Sequence, residues 1–151
     1  MSLIVRAGAA EVLGLPPVTM ELLADGDSGI STIRTKLGRG TVGPPPHYHS
    51  AAPEMFFVIE GGLHLLSGDE VTEVSAGDYV VVPPNTKHAF AATDRGADFL
   101  FFMPGALRFD YFRLSDRVRR GEEDRAQILR TQDKFDNHFV DSPEWTEFLG
   151  R

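Results

Sequence analysis

The sequence predicts an all-β fold, a barrel or sandwich of short strands, followed by a helical tail. Three observations carry this reading. From Val18 to about Met103, short runs rich in valine, isoleucine and phenylalanine alternate with turn residues at an even spacing. After Pro104-Gly105 the texture changes, and apolar residues recur at helical intervals. No internal repeat is present, so the strands make one barrel rather than two, a size that suits 151 residues.

Taken in order, Met1–Ala10 holds Arg6 and no long apolar stretch, so it is a poor secretory signal. Turn chemistry sits at Asp25-Gly26-Asp27, Gly38-Arg39-Gly40, Gly61-Gly62, Ser67-Gly68-Asp69, Ala76-Gly77-Asp78 and Asp94-Arg95-Gly96. Between these lie strands such as Met55–Ile59, Leu63–Leu66 and Tyr79–Val82. Phe56 and Val58 alternate with Phe57 and Ile59, so this strand is apolar on both faces. Its outer face needs a cover, from the C-terminal helices or from a second subunit, and a homodimer is expected. In the tail, Phe109, Phe112 and Val118 mark a first helix that Gly121 breaks, and Ile128, Leu129 and Phe135 mark a second. Ser142-Pro143-Glu144 reads as an N-cap with proline at the first helical position, opening a short helix around Trp145. The expected division is residues 1–104 as barrel with N-terminal strands, and 105–151 as a helical extension too short to bury a core of its own.

Composition narrows the function classes. The absence of cysteine excludes disulfides, zinc–thiolate sites and thiol nucleophiles, and fits a cytoplasmic location. A formal charge of −7 argues against nucleic acid as a partner. Arg113, Arg117, Arg119, Arg120, Arg125 and Arg130 are interleaved with Asp116, Glu122, Glu123 and Asp124, the pattern of a solvated helix face rather than a basic patch. No apolar run reaches the length of a membrane span, so no membrane partner is expected.

The chemistry concentrates in Gly43-Pro44-Pro45-Pro46-His47-Tyr48-His49, the bend Ser50–Pro53, and Glu54. Residues two apart in a strand point to one side, so His47 and His49 aim at one centre. Glu54 follows at the start of the next strand. Two imidazoles and a carboxylate on one face leave open coordination positions, as in iron(II) oxygenases. His88 follows Tyr79–Val82 after Pro83-Pro84-Asn85-Thr86 and can reach the same centre from a neighbouring strand.

These residues resemble the two motifs of the cupin superfamily. His47-x-His49, four residues, Glu54, six residues and Gly61 are similar to the first motif. Gly77, five residues, Pro83 and then His88 are similar to the second. The chain departs from them at Thr41, where the first motif begins with glycine, and at Asn85 and Ala92 in the second, none of them a ligand position. Asparagine tolerates the left-handed turn that glycine would make at Asn85. The wording of Gly43–His49 and of Phe56–Gly61 looks like the small single-domain quercetin-dioxygenase-like cupins.

The resemblance implies a jelly-roll (double-stranded β-helix) barrel with His47, His49, Glu54 and His88 as ligands of one divalent transition metal ion: iron, manganese, nickel or zinc. It also implies a small-molecule substrate and, as the leading reading, a dioxygenase acting on a small aromatic or enolic compound. There Glu54 serves as the catalytic base. Two other readings stay open, a non-redox isomerase or polyketide-type cyclase and a ligand-binding protein without turnover. Tyr48, Phe56, Phe90 and Phe101 are the candidate pocket residues, with core packing equally open for each. Parity with Glu54 and His88 favours Phe56 and Phe90. Pro44–Pro46 would shape the cavity mouth or simply stiffen the entry to the strand. His64, on a strand among leucines, and His138 read as structural rather than as site residues.

Overall fold

The computed structural model describes residues 2–26 and 28–151, so Asp27 of the first expected turn lies outside the described residues. The architecture is an all-β jelly roll with C-terminal helices. Its strands are β1 (Glu11–Leu15), β2 (Val18–Asp25), β3 (Ile30–Leu37), β4 (His47–Tyr48), β5 (Glu54–Ser67), β6 (Glu70–Ser75), β7 (Tyr79–Val82), β8 (His88–Pro104) and β9 (His138–Phe139).

Two long antiparallel strands form the spine. β5 and β8 pair from Met55 opposite Phe102 to Ser67 opposite His88. The other edge of β8 is shared between β3 and β4, with Leu37 opposite Ala97 and His47 opposite His88. The other edge of β5 is shared in the same way between β7 and β6. The β1–β2 hairpin extends the sheet beyond β3.

Two expected turns are instead bends inside the spine. Gly61-Gly62 lies within β5 and Asp94-Arg95-Gly96 within β8, at register shifts between Val58 and Glu60 and between Gly61 and Leu63. Gly61 has φ +73°, and a Cβ there would meet the Gly96 carbonyl oxygen at 2.1 Å. Glycine marks a kink that lets both strands curl over the core, and its composition signature is the same as that of a chain reversal. Phe56, Val58, Leu63, Phe99 and Ile33 fill the interior, each at most 1% exposed.

The tail carries α1 (Arg108–Arg119), α2 (Ala126–Arg130), α3 (Gln132–Phe135) and α4 (Pro143–Leu149). The expected second helix is split at Thr131, whose φ of −109° breaks the helical run. The last helix begins as expected: Ser142 Oγ accepts from the Trp145 N–H at 3.3 Å, with Pro143 just inside. α1 packs on β1 and β2, with Phe109 and Phe112 against the core, and α4 packs on β6. Phe57, Ile59, Tyr79 and Val81 remain exposed, so the described helices do not cover that outer face. No described helix is long and apolar enough to cross a membrane.

Candidate metal centre

β4 is only two residues long, yet it is held on both sides. His47 pairs with His88 on β8 and with Phe139 on β9, while Tyr48 pairs with His138. Pairing His47 with His88 sets their rings side by side, with centroids 4.3 Å apart. Glu54 opens β5 beside them. Asn85 takes the left-handed conformation at φ +61°, and its N–H donates to the His49 carbonyl at 2.7 Å. That bond ties the loop before His88 to the end of β4.

The four side chains offer donor atoms that all lie within 4.8 Å of one another. They are buried: His88 1%, His49 4%, Glu54 5% and His47 6% exposed. Each imidazole has a backbone carbonyl at Nδ1, from Pro45 to His47 at 2.9 Å, Asp136 to His49 at 2.7 Å, and Thr86 to His88 at 3.0 Å. A carbonyl only accepts, so each Nδ1 carries the proton and each Nε2 is turned to the centre. Glu54 Oε2 lies 3.1 Å from His49 Nε2 and 2.6 Å from His88 Nε2.

The electrostatics suit a cation. Burial pushes the Glu54 carboxyl up, but the facing His49 and His88 imidazoles outweigh it and hold the group well below the usual carboxylate range. His47 is pushed down to about 3, first by burial and then by the neighbouring His88 charge, so it stands as a neutral donor. His88 is raised, because Glu54 overcomes the burial that opposes its charge. Three imidazole nitrogens and one carboxylate oxygen, oriented from outside the cluster, fit a divalent transition metal.

The cluster opens onto a cavity of about 260 Å³. Phe90, Phe101 and Phe112 give it apolar walls, and Arg108, Tyr111 and Asn137 add polar groups. Of the expected pocket residues, Phe90 and Phe101 therefore line it. Tyr48 does not. It alternates with His47 and His49 and points the other way, stacked on His138 with centroids 4.9 Å apart. Phe56 shares the face of Glu54 but is 0% exposed and sits behind the wall, 5.7 Å from Phe90 and 6.2 Å from Phe101 between ring centroids. Parity gave its side and not its depth. Pro44 is a wall residue of this cavity. His64 packs on Phe148 at 5.0 Å, away from the cluster.

Residues of the tail complete the site, and the sequence reading missed them. Asp136, left-handed at φ +48°, orients His49 through its carbonyl. Its carboxylate accepts from Ser50 N at 2.9 Å, Ser50 Oγ at 2.6 Å and Ala51 N at 2.8 Å, fixing the bend between His49 and Glu54. Burial raises this carboxyl, but those bonds and His138 hold it well below its usual range. An Asp-Asn pair after a short helix is a signal for a left-handed cap, and it was the available clue.

A jelly roll with three imidazoles and a carboxylate gathered together is a scaffold that can hold one metal ion. Residues 34–103 match the family described as the cupin domain, and the fold is that of the cupins. No curated protein matches the sequence. Among solved structures, KdgF from Halomonas sp. is similar at 23% identity and TM-score 0.56, covering 66% of this chain and 90% of that one. An RmlC-like cupin from Shewanella frigidimarina is similar at 15% identity and TM-score 0.62, covering 73% and 96%. Pac13, a nucleoside dehydratase from Streptomyces, is similar at 16% identity and TM-score 0.55, covering 67% and 80%. At these identities the likeness is one of fold.

Proposed function

We propose that the chain is a metal-dependent enzyme, a dioxygenase acting on a small enolic or aromatic compound, with the ion held by His47, His49, Glu54 and His88. The observation that carries this is the convergence of four oriented, buried donors beside one largely apolar cavity, onto which His47, His49 and Glu54 open. When bound, a divalent ion polarises a substrate oxygen and lowers its pKa. The remaining work belongs to the chain. Glu54 Oε2 faces His49 and His88, which leaves Oε1 to take a proton from the substrate hydroxyl. Phe90 and Phe101 hold the ring or enol against the cluster and exclude water from it. The cavity has room for about nine waters at roughly 30 Å³ each, the scale of a small molecule.

Elemental analysis of protein purified without an affinity tag, followed by oxygen uptake with small catechols and enolic diketones, tests this reading. Stoichiometric redox-capable metal with oxygen consumption is the expected result. Rearrangement of the same compounds without oxygen uptake moves the assignment to a non-redox isomerase or cyclase on the same residues. Protein that takes up no metal overturns the reading. We also propose that the exposed face around Phe57 and Val81 is closed by a second copy of the chain.

A further inference from the structure

Arg108 opens α1, outside the matched cupin segment, and is 5% exposed in the wall of the cavity beside the His–Glu cluster. Its guanidinium donates to the Phe135 carbonyl and stands 5.2 Å from the Tyr111 ring centre. Among the described residues no carboxylate forms an ion pair with it, although an arginine carries five donors in a planar fork. The acids that act on it from nearby are already engaged. Glu54 is bound by His49 and His88, Asp136 by Ser50, Ala51 and His138, and Asp25 accepts from the Phe109 N–H at 3.0 Å. Burying a guanidinium without its counter-charge is costly, and such a group is a recurrent mark of an anion site.

The same cavity holds a second, independent sign. Asn137 is 3% exposed, and its Nδ2 is a buried donor with no partner among the described residues. Thr35, 3% exposed on β3, likewise has an unpartnered Oγ1. Both residues line this cavity. Besides the His–Glu cluster, this largely apolar pocket therefore holds a cation with no ion-pair partner among the described residues and spare hydrogen-bonding groups.

We propose that Arg108, supported by Asn137, binds a carboxylate of the substrate, so that the substrate is a small acid whose second oxygen reaches the His–Glu cluster. This rests on the metal-dependent reading above and adds the substrate class to it. A single guanidinium matches one carboxylate charge. No other lysine or arginine among the described residues lines the cavity, which makes a phosphate a poorer match. Arg108 acts here as a substrate-binding residue. Its bond to Phe135 and its place over Tyr111 hold the fork in position.

The test is calorimetric titration of metal-loaded and metal-free protein with pyruvate, malonate and salicylate, each against its neutral amide and against inorganic phosphate. Wild-type protein should bind the acids at least tenfold tighter than the amides in both forms. Arg108→Gln should lose most of that preference with its metal content unchanged, and Arg108→Lys should recover part of it. Asn137→Asp, which adds a negative charge to the same cavity, should also weaken the preference, and it serves if Arg108→Gln does not fold. Acids and amides binding alike, phosphate binding best, or an acid preference that survives Arg108→Gln each overturn the proposal. Acid preference in a protein that takes up no metal overturns the metal reading alone. Metal uptake with no acid preference overturns this inference alone.

Discussion

His49 shows how much positioning one candidate ligand needs. Its Nδ1–H is fixed by the Asp136 carbonyl and its Nε2 lies against Glu54. His49→Ala should lose most bound metal, read by elemental analysis; full stoichiometry in that variant removes His49 from the ligand set. Glu54→Gln should lose far more turnover than metal, because an amide oxygen can still ligate but cannot take a proton. Gly61→Ala should be among the most destabilising small changes, by about 2 kcal/mol or more, since the new methyl meets a backbone carbonyl at a left-handed position. Urea denaturation measures that, and a midpoint equal to wild type would mean that the bend relaxes freely. At this scale the sequence was informative wherever side alone mattered. His47 and His49 share a face by period two, and Glu54 and His88 open strands that pair beside them. The same rule places Tyr48 outside, and treating it as a pocket residue overlooked its own parity. For Phe56 the side was legible and the depth was not, because depth depends on which strands stack across the core.

Among the elements, α4 was readable from three residues and β9 was not readable at all. Ser142-Pro143-Glu144 states a helix start through local chemistry, and the structure keeps each role. β9 is two residues whose strand character comes only from pairing with β4, a contact with no local signature. The bends at Gly61 and Gly96 belong with β9, since a glycine cannot say whether the chain reverses or curls. Ser142→Ala should cost about 1 kcal/mol in denaturant unfolding, the usual loss of a serine cap. Glu144 sits two residues past that cap, in the first turn, and its carboxyl is lowered to about 2, chiefly by its own backbone N–H and then by Lys87. A carboxyl depressed in the folded state stabilises above its unfolded pKa of about 4.5 and loses that contribution as pH falls toward 2. Glu144→Gln should therefore be less stable than wild type at pH 7, with the two unfolding midpoints converging as pH falls from about 4.5 toward 2. A constant gap down to pH 2 would contradict the assignment.

For the whole molecule, metal and assembly give the global readouts. An ion bound only by the folded chain at a hundredfold excess over its Kd adds about 2.7 kcal/mol. Chelation should lower the melting temperature by on the order of 5–10 °C for a chain of this size. An unchanged melting temperature would mean that no ion was bound by the native state. The uncovered face should pair two copies across on the order of 1,000 Å² or more, visible as a dimer by light scattering. Phe57→Asp combined with Val81→Asp should shift it to monomer, and a wild-type monomer at every concentration would remove the second copy. The bond between His49 and Asp136 also sets an order of events. It joins residues 87 apart in the chain, so the centre belongs to the slow, non-local part of folding. The sheet must be largely built before the tail can dock and turn His49 inward. Metal should therefore enter a nearly finished barrel rather than nucleate it, and refolding of the apo chain should proceed at a rate independent of metal concentration.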